Sequence, residues 1–354
     1  MTVRSNPWNS SRAAQAEAAA ARHDRPTGAT GAADRETEES EVRPERDEEP
    51  GSGRPAAAVL VAAMLFGTTG TALELGPDTA TALGAGAARL LVGGSVLLAV
   101  AAMTGGGRRD WRAHWRAALF GGLMVGVYQL SFFAATRRAG VAVATVCTIA
   151  SGPVFAGVIE RIRSARRGER PALGRPWWIG TTTGVAGVFL ILSPSGSSTF
   201  AAAGVAAALL SGFGYAAYAT TAKHQMQGGL DPAASMASLF AVGAVVTSPL
   251  LFVEPMGWLR TGPGVLMILH LGVITVGGAY TLYGRGLRLL PTPTVVTLTL
   301  AEPVTAAVLS VVVLRESLGL LGWCGVVVVV AGLFVATRPG TVTSPAADPA
   351  AVTR

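Results

Sequence analysis

The chain has 354 residues, of which 50% are hydrophobic and 14% charged, with a formal net charge of +7. Residues 1–50 hold 7 Arg and 11 Asp/Glu, so the other 304 residues carry only 31 charges, 21 of them basic. Roughly one charge in ten, against about one in four in soluble domains, excludes an ordinary water-soluble enzyme.

Residues 1–54 are rich in Ala, Arg, Glu, Gly and Pro with one aromatic, Trp8, and are predicted to be a disordered cytoplasmic tail. No apolar region of a secretory signal peptide precedes Pro55. Ten apolar stretches follow, near Pro55–Leu75, Thr81–Met103, Ala117–Thr136, Val141–Ile159, Trp177–Leu192, Phe200–Ala222, Ala233–Val253, Val265–Leu287, Thr294–Leu314 and Leu318–Ala336. Most approach the roughly 20 residues that a spanning helix needs, and backbone groups in hydrocarbon must pair within the chain. The expected fold class is therefore an all-α membrane protein with ten transmembrane helices. The fifth stretch is short, and the eighth carries His270 and Arg285. Residues 338–354, with Pro339, Pro345 and Pro349, read as a second disordered cytoplasmic tail.

The pI near 10.2 would suit a nucleic-acid partner, but the basic residues form short clusters between apolar runs, as membrane topology requires. With the N-terminus inside, the cytoplasmic connections carry Arg54, Arg108, Arg109, Arg112, Arg116, Arg161, Arg163, Arg166, Arg167, Arg170, Arg175, Lys223, Arg285, Arg288, Arg338 and Arg354. The external ones carry only Arg137, Arg138, Arg260 and Arg315. Sixteen against four places both termini in the cytoplasm, in a multi-pass protein of the plasma membrane. The basic run 160–170 reads as a cytoplasmic loop seated at anionic lipid, the alternative being a helical extension of the fourth stretch.

Residues 140–154 run parallel in sequence to 290–304, and Ala186-Gly-Val-Phe189 parallels Ala331-Gly-Leu-Phe334. This predicts two five-helix halves, 55–192 and 200–337. An odd number of spans in each makes them inverted repeats, the architecture of secondary transporters with a site near the midplane. Cys147 and Cys324 lie in apolar segments without metal or redox spacing. No phosphate-binding loop is present, and Gly84-x-Gly86-x-x-Arg89 misses the dinucleotide pattern. No cofactor or metal is expected.

Glu302-Pro303 in the ninth stretch, followed by Arg315-Glu316-Ser317-Leu318, resembles the second repeat of the EamA family of the drug/metabolite transporter superfamily. Phe66-Gly67-Thr68, Arg89, Pro153 and Gly168-Glu169 fit its first repeat, and the resemblance covers about residues 55–337. It implies export or exchange of small metabolites by alternating access without ATP.

Candidate site residues follow from cost, because an ionisable group at mid-membrane costs about 2.5–3.5 kcal/mol and calls for a partner. Glu302 shares a helical face with Val295, Thr299 and Ala306 and would accept an ammonium or a coupling proton; its other reading is a structural acceptor joining helices. Arg89 would bind a carboxylate, and an Arg89–Glu302 pair is one arrangement the sequence allows. Tyr128, Gln129, Tyr215, Tyr218, Tyr280 and Tyr283 suit a cavity for a zwitterionic or aromatic metabolite, or anchor helices at the interface. Glu74 reads as a gate or surface group, and His270 as a proton relay or a structural histidine. Pro153, Pro303, Gly67, Gly122 and Gly126 are candidate hinge and packing positions. The expected activity is secondary transport, with or without proton coupling, of an amino-acid-like or drug-like molecule. The alternatives are a membrane-embedded enzyme, which four scattered histidines support poorly, and a receptor. Monomer and homodimer stay open.

Overall fold

The structure, a computed structural model, describes residues 53–105, 113–169, 173–191, 202–315 and 317–337. The two tails lie outside them, except Gly53 and Arg54, which open the first helix; so do the basic residues 108, 109, 112 and 170, and Glu316.

Among the described residues every regular element is helical. In chain order they are α1 Gly53–Glu74, α2 Ala82–Met103, α3 Trp115–Ala139, α4 Val141–Arg167 and α5 Arg175–Ile191. There follow α6 Ala202–Gln227, α7 Pro232–Thr247, α8 Gly262–Leu289 and α9 Thr292–Val312, and α10 Leu320–Ala336. Eight of these, all but α5 and α10, are long and apolar enough to cross a membrane, α7 together with its continuation to Val253. Side chains such as Leu266, Val312 and Val327 are exposed on the outside of the bundle, where only hydrocarbon makes large apolar surface favourable.

Starts and stops follow local chemistry. The Thr81 hydroxyl accepts from Gly84 N–H at 3.1 Å at the start of α2, and Asp231 Oδ1 accepts from Ala233 N–H at 2.9 Å at the start of α7, with Pro232 in the first turn. Both satisfy amides that a helix leaves unpaired. The basic stretch after Ile159 is helical and not a loop: α4 continues to Arg167, where Gly168 turns left-handed (φ 69°) and Glu169 N–H bonds Ser164 C=O at 2.9 Å. This closure needs a residue that tolerates positive φ.

Three helices depart from the unbroken spans expected. The α7 segment stops at Thr247, and Pro249 introduces a separate turn, Leu250–Val253. In α8, residues His270–Gly278 are wound as a π-helix, and Ala279 N–H reaches Ile274 C=O five residues back. α9 is interrupted at Thr299–Leu300 and resumes as Ala301–Val312. Pro303 has no N–H to offer Thr299 C=O, which instead accepts from Glu302 N–H at 2.9 Å.

α1 packs on α8 and α9, α6 on α3 and α4, α2 on α7 and α8, α3 on α7, and α4 on α9. α5 and α10 pair through backbone: a Cβ on Gly180 would lie 2.3 Å from Ala336 N, and one on Gly332 2.4 Å from Gly184 N. Gly122 and Gly126 let α3 approach α7 closely, where they meet the side chains of Val242 and Val246.

Candidate functional site

A cavity of about 330 Å³ lies between α1, α2, α3, α4, α6, α8 and α9. Its base is formed by Tyr215, Tyr218 and Tyr280, and it extends to Leu73 and Ala82 beside the α1–α2 connection. Beyond the base, towards the α6–α7 connection, Met236, Leu239, Tyr283 and Leu287 are fully buried. The cavity therefore reaches towards one end of the bundle, and packed side chains close the other.

Arg89 of α2 and Tyr128 and Gln129 of α3 form one wall. The Arg89 guanidinium donates to Gln129 Oε1 at 3.3 Å. That leaves Arg89 Nε and Gln129 Nε2 buried without an acceptor. Gly86 makes the approach possible, because a Cβ there would sit 2.4 Å from the Phe133 ring and 2.8 Å from Gln129 Nε2. These two buried N–H groups are therefore placed to donate to an oxygen of a ligand or of water in the cavity.

The facing wall comes from the broken helix α9. Thr299, Glu302, Pro303 and Ala306 line the cavity, while Val295, placed on the same face by simple helical spacing, does not line it and is fully buried. The break puts Glu302 in the first turn of Ala301–Val312, where the positive end of the helix dipole favours a carboxylate. Arg89 is near enough for its charge to act on Glu302. Yet among the described residues no hydrogen bond or ion pair closes on that carboxylate, so the direct Arg89–Glu302 pair allowed by the sequence is not formed. Gly67 of α1 packs against this turn, since its Cβ would lie 2.6 Å from Glu302 C=O.

At the base, Tyr215 and Thr299 hydroxyls are 2.9 Å apart. Thr299 uses its own proton on Val296 C=O at 2.8 Å, so Tyr215 is the donor. Tyr218 and Tyr280 hydroxyls meet at 3.0 Å. Ring centroids separate by 6.0 Å for Tyr128–Tyr215, 5.3 Å for Tyr215–Tyr218 and 4.8 Å for Phe66–Tyr280, within the range of favourable aromatic pairs.

The structure thus gathers Glu302, Arg89, Tyr128, Gln129, Thr299, Tyr215, Tyr218 and Tyr280 around one space, with Gly67 and Pro303 at its wall. It leaves others outside. Glu74 is exposed at the end of α1. Pro153 is buried within the continuous helix α4, and Gly122 and Gly126 face α7. His270 Nε2 lies 2.8 Å from Thr68 Oγ1, whose proton goes to Leu65 C=O at 2.7 Å. His270 is therefore the donor in that contact, which ties the start of the π-helical segment to α1. Among the described residues no group of three His, Cys, Asp or Glu is placed to hold a metal ion.

Sequence reasoning missed Phe66, Thr145, Thr148 and Thr275 as lining residues. A threonine in an apolar helix usually spends its hydroxyl on its own backbone, as Thr275 does on Leu271 C=O at 2.6 Å, so its type alone carries no signal. Thr148 instead donates across to Ala208 C=O of α6 at 3.1 Å. Leu271, Thr275, Val276 and Tyr280 share the cavity face at spacings of four and five, which π winding brings together.

A multi-pass helical bundle with a polar, aromatic-lined space among apolar helices is the build of a membrane transporter. The model of the EamA-like transporter family matches residues 54–193 and again 202–338, and the chain belongs to that family, part of the drug/metabolite transporter superfamily. An uncharacterized transporter of Bacillus subtilis (strain 168), YwfM, is 37% identical over 278 residues, covering 78% of this chain and 91% of its own. A crystal structure at 20% identity covers 81% of this chain and 97% of its own with a TM-score of 0.70, a likeness of fold alone.

Proposed function

We propose that the chain is a secondary transporter for a small zwitterionic or cationic-aromatic metabolite, working by alternating access across the plasma membrane. The observation that carries the reading is the polarity of the cavity. Arg89 Nε and Gln129 Nε2, without acceptors, stand on one wall, and the Glu302 carboxylate stands on the other. An amino acid presents a carboxylate to the first and an ammonium to the second, while the tyrosine faces receive an apolar or aromatic side chain. Glu302 also serves as the site of a coupling proton when no ammonium occupies it.

Ten spans in two inverted halves suit the packing. Exchanging α1–α5 for α6–α10 carries α1·α8 into α6·α3, α1·α9 into α6·α4, and α2·α8 into α7·α3, and leaves α2·α7, α4·α9 and α5·α10 unchanged. With the N-terminus inside, as the loop charges favour, the cavity faces outwards and the closed end faces the cytoplasm. The test is efflux and counterflow in vesicles holding purified protein with a panel of radiolabelled amino acids, amines and organic acids. Saturable flux of a zwitterion or organic cation, competed by unlabelled compound, is expected. Correctly folded protein that moves none of the panel would sink the proposal.

A further inference from the structure

At the closed end of the bundle lies a second cavity, of about 210 Å³. It is lined by Glu160, Arg163 and Arg167 of α4, Lys223 and Gln227 of α6, and Thr292 where α9 begins. Three cations against one carboxylate leave a surplus of two positive charges. Lys223 is fixed in place, its Nζ donating to the carbonyls of Leu287 and Arg288 at 2.8 Å each and of Leu290 at 3.0 Å. All three of its protons are used, so it contributes charge rather than a free donor. Arg163 and Arg167 differ: one turn apart on one face of α4, they make no ion pair with a carboxylate among the described residues.

The cationic character extends past the lining. His224 stands within the field of Arg163, Arg167 and His114. Basic residues in a last helical turn are accounted for by the helix dipole alone. That explanation does not distinguish Arg163, half-buried, and Arg167, exposed, which both line the cavity, from Arg161 and Arg166, which are exposed on the same helix and do not line it. Positive groups collected around a concave site focus their field on an anion, and paired guanidinium forks match the oxygens of a phosphate.

We propose that this cavity binds a phosphate group, held between Arg163 and Arg167 under the fixed charge of Lys223, with Gln227 and Thr292 as neutral polar contacts. The space also admits several waters at ~30 Å³ each. The phosphate belongs either to an anionic lipid headgroup entering from the adjoining bilayer surface or to a soluble phosphorylated compound, and the site is independent of what the main cavity carries.

The test compares the wild type with Arg163→Gln/Arg167→Gln and with Arg161→Gln/Arg166→Gln, which removes the same charge from the same helix. Delipidated protein in neutral detergent is titrated with inorganic phosphate by calorimetry. In parallel, protein in mixed micelles of phosphatidylglycerol and phosphatidylcholine is assayed for retained lipid by native mass spectrometry. The wild type is expected to bind at least one probe, and the 163/167 pair to weaken that binding by about tenfold or more, the loss of one or two charge-assisted contacts, while the 161/166 pair retains it. Retention of phosphatidylglycerol without a phosphate response assigns a lipid headgroup; a phosphate response without lipid retention assigns a soluble ligand. Equal weakening by both pairs, or no binding of either probe to the wild type, overturns the proposal.

Discussion

A carboxylate in an apolar bundle with no hydrogen bond of its own is costly unless something else shares its charge. Arg89 shares part of the charge of Glu302, and under the proposed function the carried molecule or a proton would share the rest. Glu302→Gln keeps the shape and one acceptor oxygen but removes the charge. It should leave the protein inserted and folded, and lower transport of an ammonium-bearing substrate by about 10- to 100-fold, the worth of one charge-assisted contact. Efflux kinetics in vesicles, alongside thermal unfolding of the same preparation, give the measurement; wild-type flux would return Glu302 to a structural role. Arg89→Lys tests the opposite wall. Lysine keeps the charge but loses Nε and the planar fork, so apparent affinity for carboxylated substrates should fall while substrates lacking the carboxylate are moved as before. Competition assays with amino acids and their decarboxylated amines read this difference.

At the scale of helices, one close approach shapes the main cavity and one tether holds the closed end of the bundle. A Cβ on Gly67 would meet both Glu302 C=O and Thr305 Cβ at 2.6 Å, whereas one on Gly70, a turn later, has nothing within 4 Å. Gly67→Ala should therefore cost about 1–3 kcal/mol of overpacking and weaken substrate binding by displacing Glu302, while Gly70→Ala changes stability little. Unfolding temperatures and transport of the two variants, taken together, check this. The tether is Lys223, whose ammonium joins α6 to three carbonyls at the α8–α9 connection. Lys223→Met retains the apolar stem and removes the bonds. A loss of roughly 1.5–3 kcal/mol is expected at this end of the bundle, read as faster amide exchange at the α8–α9 connection than in the wild type.

For the molecule as a whole, the bilayer made the fold readable. Long apolar runs have few alternatives to helices in hydrocarbon, so the stretches from Pro55 to Ala336 fall on observed helices, and the family resemblance carried by Glu302-Pro303 and Arg89 led to the family to which the chain belongs. What escaped depends on other forces. The extension of α4 from Glu160 to Arg167 leaves the apolar pattern while keeping good helix formers such as Arg and Ala. The π winding of α8 accompanies contacts that no local pattern encodes: Gly272 and Gly277 lie against Val92 and Val96 of α2. The cavity's charged residues stood out against apolar neighbours, but its threonines did not. Orientation is the expectation still to be measured. In a background lacking Cys147 and Cys324, a cysteine replacing exposed Arg137 at the end of α3 should react with an impermeant maleimide in intact cells. One replacing exposed Gln227 at the end of α6 should react only after permeabilisation; the reverse pattern would invert the topology.

The pairing of α5 with α10 has a mechanical consequence. These two meet along Gly180, Gly184 and Gly187 against Gly325, Val329, Gly332 and Ala336. Smooth surfaces of this kind have few knobs to lift out of holes when one helix turns on the other. If the proposed halves swing past each other, α5 and α10 would be their fulcrum, a pair close enough to stay joined and plain enough to tilt, set apart from the residues that line the main cavity.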